Sequence, residues 1–110
     1  MIIDSYGKQY EITFYTSRYS NNNALFVGAI GKCSEDDFEE PYCDVTVNLP
    51  PSGMIQNERA AYLDMNNSGN VINKMVEEGY IEMVDGVEYA SGFCVYPLGI
   101  FTDKFWKEVK

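Results

Sequence analysis

Ser91-Gly92-Phe93-Cys94-Val95-Tyr96-Pro97-Leu98-Gly99-Ile100-Phe101 is the longest nearly uncharged apolar run of the chain, and its reading decides the fold. Its aromatic and β-branched residues suit a pleated, packed surface, so the run reads as the strand at the centre of a sheet. Phe93, Val95 and the residues after them are expected to hold that sheet together. Pro97 predicts a bend or an approach to an edge, because proline cannot donate to a ladder. Of these residues only Cys94 offers chemistry.

The flanks of the run are patterned as its cover. Before it, Tyr80 to Met83 reads as extended, Asp85-Gly86 as a hairpin turn, and Val87-Glu88-Tyr89 as the returning segment. After it, Thr102 can cap a short helix whose Phe105, Trp106 and Val109 pack on the sheet. Further upstream, Val71, Ile72, Met75 and Val76 share one helical face, which predicts a helix from Asn70 to Glu78 with capping side chains in Asn66-Asn67-Ser68 and a stop at Gly79. Ala60 to Met65 fits a short edge strand or a helical turn equally well.

The first half of the chain reads as two hairpins. Ile2 to Tyr6 and Gln9 to Tyr15 flank a turn at Gly7-Lys8, with Tyr10, Ile12 and Phe14 on one face. A polar loop over 17–23 leads to a strand from Ala24 to Ile30, with Leu25, Val27 and Ala29 on one side. The fourth strand is predicted over Tyr42 to Leu49, where Cys43, Val45, Val47 and Leu49 alternate with Asp44, Thr46 and Asn48. Pro50-Pro51 ends it, and Ser52 to Arg59 is a loop.

The 110 residues and 45% apolar content suffice for one core, so residues 1–110 are expected to form a single α+β domain: an antiparallel sheet with one main helix and a short C-terminal one. Seventeen acidic against eight basic residues, a net charge of -9 and no histidine argue against direct nucleic-acid binding, because phosphates are held by Lys and Arg. The same charge suits a basic partner, or serves solubility. No apolar run is long enough for a membrane span and the N-terminus has no signal-peptide pattern, which predicts a cytosolic protein. Three cysteines without an export signal argue against a disulfide framework.

Without histidine, nucleophilic or general-base catalysis lacks its usual group near neutral pKa, and the abundant carboxylates fall on predicted loops and solvent faces. A non-enzymatic protein is expected. Asp64 to Asn70 fits the first half of a calcium loop, but Met75 stands where the closing glutamate belongs, and helix capping explains the same residues. Cys33 and Cys43 flank the acidic hairpin connection and Cys94 could join them; with Asp36 or Asp37 they would make a tetrahedral zinc site, although small buried thiols explain them as well. No other cofactor is indicated. The densest charge lies between Gly31 and Pro41, where Glu35, Asp36, Asp37, Glu39 and Glu40 surround Phe38, with Asp44 just beyond. It reads either as a solvated hairpin tip or as a contact surface offering charge and one apolar anchor to a basic groove.

Tyr6-Gly7-Lys8-Gln9-Tyr10-Glu11, Ser17-Arg18-Tyr19, Thr46-Val47-Asn48-Leu49-Pro50, Leu63-Asp64-Met65-Asn66-Asn67 and Ser91-Gly92-Phe93-Cys94-Val95-Tyr96-Pro97-Leu98 occur in this order. Together they resemble a bacterial domain-of-unknown-function family of small acidic proteins carried by plasmids, phages and integrated elements. The resemblance implies a mobile-element context and no catalytic residues; the Ser34 to Glu40 stretch and the Phe105-Trp106 tail depart from it. In size and charge the chain is also similar to anti-CRISPR proteins. The expected function is therefore an acidic interaction protein that inhibits a defence nuclease at a basic, nucleic-acid-binding surface. The alternatives are a plasmid or phage accessory that self-associates through exposed Tyr and Phe, and a small structural-zinc protein.

Overall fold

Two antiparallel sheets are joined where one stretch of chain leaves a strand of the first and pairs with the second. The structure, a computed structural model, describes residues 1–20, 24–33, 38–48 and 59–109. The first sheet runs β1 (Ile2–Ser5), β2 (Lys8–Arg18), β3 (Leu25–Cys33), β4 (Glu39–Asp44), in that spatial order. Period-two alternation buries Ile12, Phe14, Leu25, Val27 and Ala29 on its inner face, as the pattern predicts. Tyr6 (φ 51°) and Gly7 (φ 79°) close the first hairpin with two left-handed residues, the backbone that matches strand twist.

The fourth strand differs from its sequence reading. It begins in the acidic stretch, with Glu39 opposite Lys32, and ends at Asp44, not Leu49. Ladder bonds are made by backbone, so exposed carboxylates do not prevent pairing at an edge. Ile30 faces Pro41 and Ala29 faces Cys43, leaving Tyr42 as the extra residue of a bulge. Beyond it, the Val45 N–H donates to the Val27 carbonyl (2.9 Å) and the Val47 N–H to Tyr62 (3.1 Å), so Val45 and Val47 alternate because they bridge the two sheets. The predicted end at Pro50-Pro51 and most of the 52–59 loop fall outside the described residues, as does the 21–23 part of the polar loop.

Thr46 is one of the polar residues that alternate with the apolar ones here, yet it is 2% exposed. Its Oγ1 accepts the Val27 N–H at 3.1 Å and shares a 3.3 Å hydrogen bond with the Tyr19 hydroxyl. The hydroxyl serves as acceptor where the departing chain offers no carbonyl. Thr46→Val leaves the Val27 N–H without that acceptor, and the expected loss is about 1–3 kcal/mol. Thr46→Ser is expected to keep most of it. Urea unfolding of both variants checks this.

The second sheet has the order β5 (Ala60–Tyr62), β7 (Cys94–Phe101), β6 (Ile81–Ser91). The 91–101 run does supply its central strand. Its first residues do not: Ser91 ends β6, Gly92 (φ 62°) and Phe93 form the turn, Phe93 is fully exposed and Val95 is half exposed. An apolar residue at a turn tip is invisible to hydropathy. Asp85-Gly86 is no hairpin turn but part of a bulge within β6, where the register jumps from Met83 opposite Gly99 to Glu88 opposite Pro97. Pro97 has no N–H to offer there, so the ladder breaks where it is already weakened. The Pro97 carbonyl instead accepts the Leu63 N–H at 2.9 Å.

Helix α1 (Met65–Glu77) starts earlier than predicted, because Asp64 is its cap and accepts the Asn67 N–H at 3.4 Å and Nδ2 at 3.2 Å. Ser68 sits inside the helix at a kink (φ -124°), and its Oγ donates to the Asp44 carbonyl at 2.7 Å, tying α1 to the end of β4. Val71, Ile72 and Met75 are buried while Val76 lies at the exposed margin of the same face. Gly79 (φ 84°) stops the helix, with the Tyr80 N–H donating back to Met75 at 2.8 Å. Helix α2 (Asp103–Glu108) follows Thr102 and buries Phe105, completing a core drawn from both sheets and both helices. The α+β class holds.

Candidate protein-binding interface

The ladder fixes where the described residues on either side of the acidic stretch lie. Cys33 pairs with Tyr10 on one side, and Lys32 pairs with Glu39 on the other, so Cys33 and Phe38 lie at the same end of the first sheet as the Tyr6-Gly7 turn. Phe38 is 77% exposed there, and Glu39 and Glu40 are exposed beside it on an edge strand. Glu35, Asp36 and Asp37 lie outside the described residues. Asp44 is at the far end of β4, about 20 Å of extended chain from Phe38 at the usual rise per residue. It belongs to a different neighbourhood: burial raises the Tyr19 and Cys43 pKa values, and the negative charges of Asp44 and Asp64 add to both shifts. The neighbouring hydroxyls of Thr46, at Tyr19, and of Ser68, at Cys43, oppose them.

Below the tip, the outer face of the sheet carries one row across all four strands. Ile2 stands opposite Glu11, Glu11 opposite Lys32, and Lys32 opposite Glu39. Alternating signs directly across strands are favourable pairs. Glu11, Thr13, Ile30, Lys32 and Glu39 line a shallow groove of about 240 Å³ whose floor is partly apolar. Its carboxylates outnumber its ammonium, so the groove continues the negative character of the tip.

The register does not gather the three cysteines. Cys33 and Cys43 lie on facing strands, but Cys43 pairs with Ala29, about 13 Å along β3 from Cys33, and Cys94 is on the second sheet beside its turn. All three are free thiols. Among the described residues no group of three or more Cys, Asp and Glu could hold a metal ion. The zinc set of Cys33, Cys43 and Cys94 is thus not assembled by the pairing that sequence spacing had suggested, because the bulge and the length of β4 carry Cys43 away from the tip. The half calcium loop at Asp64 is a helix cap.

Two features of this surface were not singled out from sequence. Glu11 and Lys32 join the groove through strand register, which sequence alone does not give. Tyr6 is 103% exposed at the turn on the same end of the sheet as Phe38; its signal was a bulky aromatic where Asn or Asp normally precedes Gly. Among the described residues no helix is long and apolar enough to cross a membrane.

A family described as Domain of unknown function (DUF4313) matches residues 13–109. No curated protein and no solved structure matches the chain.

Proposed function

This chain belongs to the DUF4313 family, which assigns it no activity, and from its own surface we propose that it is a non-enzymatic interaction protein whose acidic hairpin tip binds a basic protein surface. The observation that carries the reading is Phe38, left largely exposed next to Glu39 and Glu40 in a chain of net charge -9. An exposed aromatic next to carboxylates offers an anchor to be buried together with charge complementarity to Lys- and Arg-lined clefts. The partner class that fits best is a nucleic-acid-binding surface of a defence nuclease such as a CRISPR nuclease, in the setting of a mobile element. Occupying that surface excludes nucleic acid electrostatically, without chemistry. In this reading the contact set is Glu35, Asp36, Asp37, Phe38, Glu39 and Glu40, and Asp44 is a more distant contributor to the field.

The test is binding to a purified CRISPR nuclease freed of nucleic acid. Affinity is expected to fall at least about tenfold between roughly 0.05 and 1 M salt, over which the screening length shrinks to about 3 Å. Changing Glu35, Asp36, Asp37, Glu39 and Glu40 together to Ala is expected to abolish most of that salt dependence. Binding indifferent to both would remove the reading.

A further inference from the structure

We propose that the partner-binding surface is the whole end of the first sheet, that Tyr6 is its second aromatic anchor in addition to Phe38, and that its occupant is a basic cleft in a folded protein. This rests on the reading above and adds a second turn and a spacing to it. Tyr6 touches the fold too little to be explained by packing, since it is 103% exposed. Its φ of 51° lies in the left-handed region, where a bulky side chain is disfavoured and Asn or Asp is the usual neighbour of a turn glycine. A tyrosine here costs the fold twice, by conformation and by exposed apolar surface. An outlier of that kind points to a contact made outside the chain.

Strand register and order put the two anchors at one end of the sheet, on its two outer strands. With Ile3 opposite Tyr10, Tyr10 opposite Cys33 and Lys32 opposite Glu39, Tyr6 after β1 and Phe38 before β4 share one end of the sheet, about 12–14 Å apart across the strands and about 10 Å apart along them. Exposed Asp4, Glu39 and Glu40 lie at this end with one exposed lysine, Lys8. Aromatic anchors inside a charged rim are the usual make-up of an energetic centre in an interface. The charge selects the occupant. A second copy meeting end to end would oppose its own carboxylates, and anionic lipid would be repelled, whereas a basic cleft is complementary.

The experiment uses the full chain with Tyr6→Asn, which creates the favoured Asn-Gly turn, and Phe93→Ser as comparator, a turn residue of equal exposure on the other sheet. The probe is the nucleic-acid-free CRISPR nuclease. Tyr6→Asn is expected to melt at the same or a higher temperature, bind at least about tenfold more weakly through a faster off-rate, and keep its salt dependence, because no charge is lost. Phe93→Ser is expected to bind within about twofold of the unmodified chain. The inference is overturned by unchanged affinity of Tyr6→Asn, by a lower melting temperature that makes Tyr6 structural, or by an equal loss in Phe93→Ser. Tyr6-dependent binding to phosphatidylglycerol vesicles, or a Tyr6-dependent dimer, also overturns it. Salt-dependent binding that ignores Tyr6 removes this inference alone, whereas absent or salt-independent binding of the unmodified chain removes the functional reading with it.

Discussion

Phe105→Ala is expected to lower the unfolding free energy by about 3–5 kcal/mol, the range for truncating a fully buried phenylalanine. Phe105 has no exposed surface. Its ring lies 5.6 Å from Phe14, 4.7 Å from Phe101 and 5.2 Å from Trp106, centroid to centroid. Phe14 belongs to the first sheet and Phe101 to the second, so one side chain from α2 fills the space where the sheets meet. The six-residue helix is far too short to hold itself together in water, and its order depends on that anchor. For a domain whose total stability is about 5–15 kcal/mol, the loss is a large fraction. The measurement is the urea midpoint at unchanged slope. Phe105→Leu, which keeps most of the volume, should lose less, and an alanine loss below about 1 kcal/mol would mean that α2 is not docked as described.

Local periodicity carried the parts of the fold that depend on neighbours in sequence. Leu25, Val27 and Ala29 alternate because β3 has one buried face, and Gly79 stops α1 because only a left-handed residue closes the helix there. What was not legible depends on partners distant in sequence. Thr46 is polar yet buried because its hydroxyl stands in for a carbonyl. Asp85-Gly86 has turn chemistry, but pairing with β7 continues on both sides and makes it a bulge. Phe93 is apolar yet sits at a turn tip, so the run that identified the central strand also concealed where that strand begins. The acidic tip was visible through charge alone, whereas placing Tyr6 at the same end of the sheet required the register of its strands. Asp44 looked adjacent in sequence, and the extended strand carried it to another part of the sheet.

The centre of that same run yields the second large effect. Gly99 is buried in β7 between Ala61 and Met83 of the flanking strands. A Cβ placed there would lie 2.7 Å from Leu63 Cδ1 and 2.9 Å from Ile81 Cγ2. Leu63 has no exposed surface and Ile81 almost none, so neither can swing into solvent to make room. Gly99→Ala is therefore expected to cost about 1–3 kcal/mol as an overpacked core, despite alanine's smaller backbone entropy loss, and Gly99→Val more. Leu63→Ala alone is expected to cost about 2–5 kcal/mol by opening a cavity. The two defects are complementary in shape, so the double variant should be more stable than the sum of the single losses predicts, with a coupling of about 0.5–3 kcal/mol. A double-mutant cycle by denaturant unfolding measures it. Strict additivity would show that Leu63 does not pack on the Gly99 backbone, and the central position of β7 against β5 and β6 would lose its packing explanation.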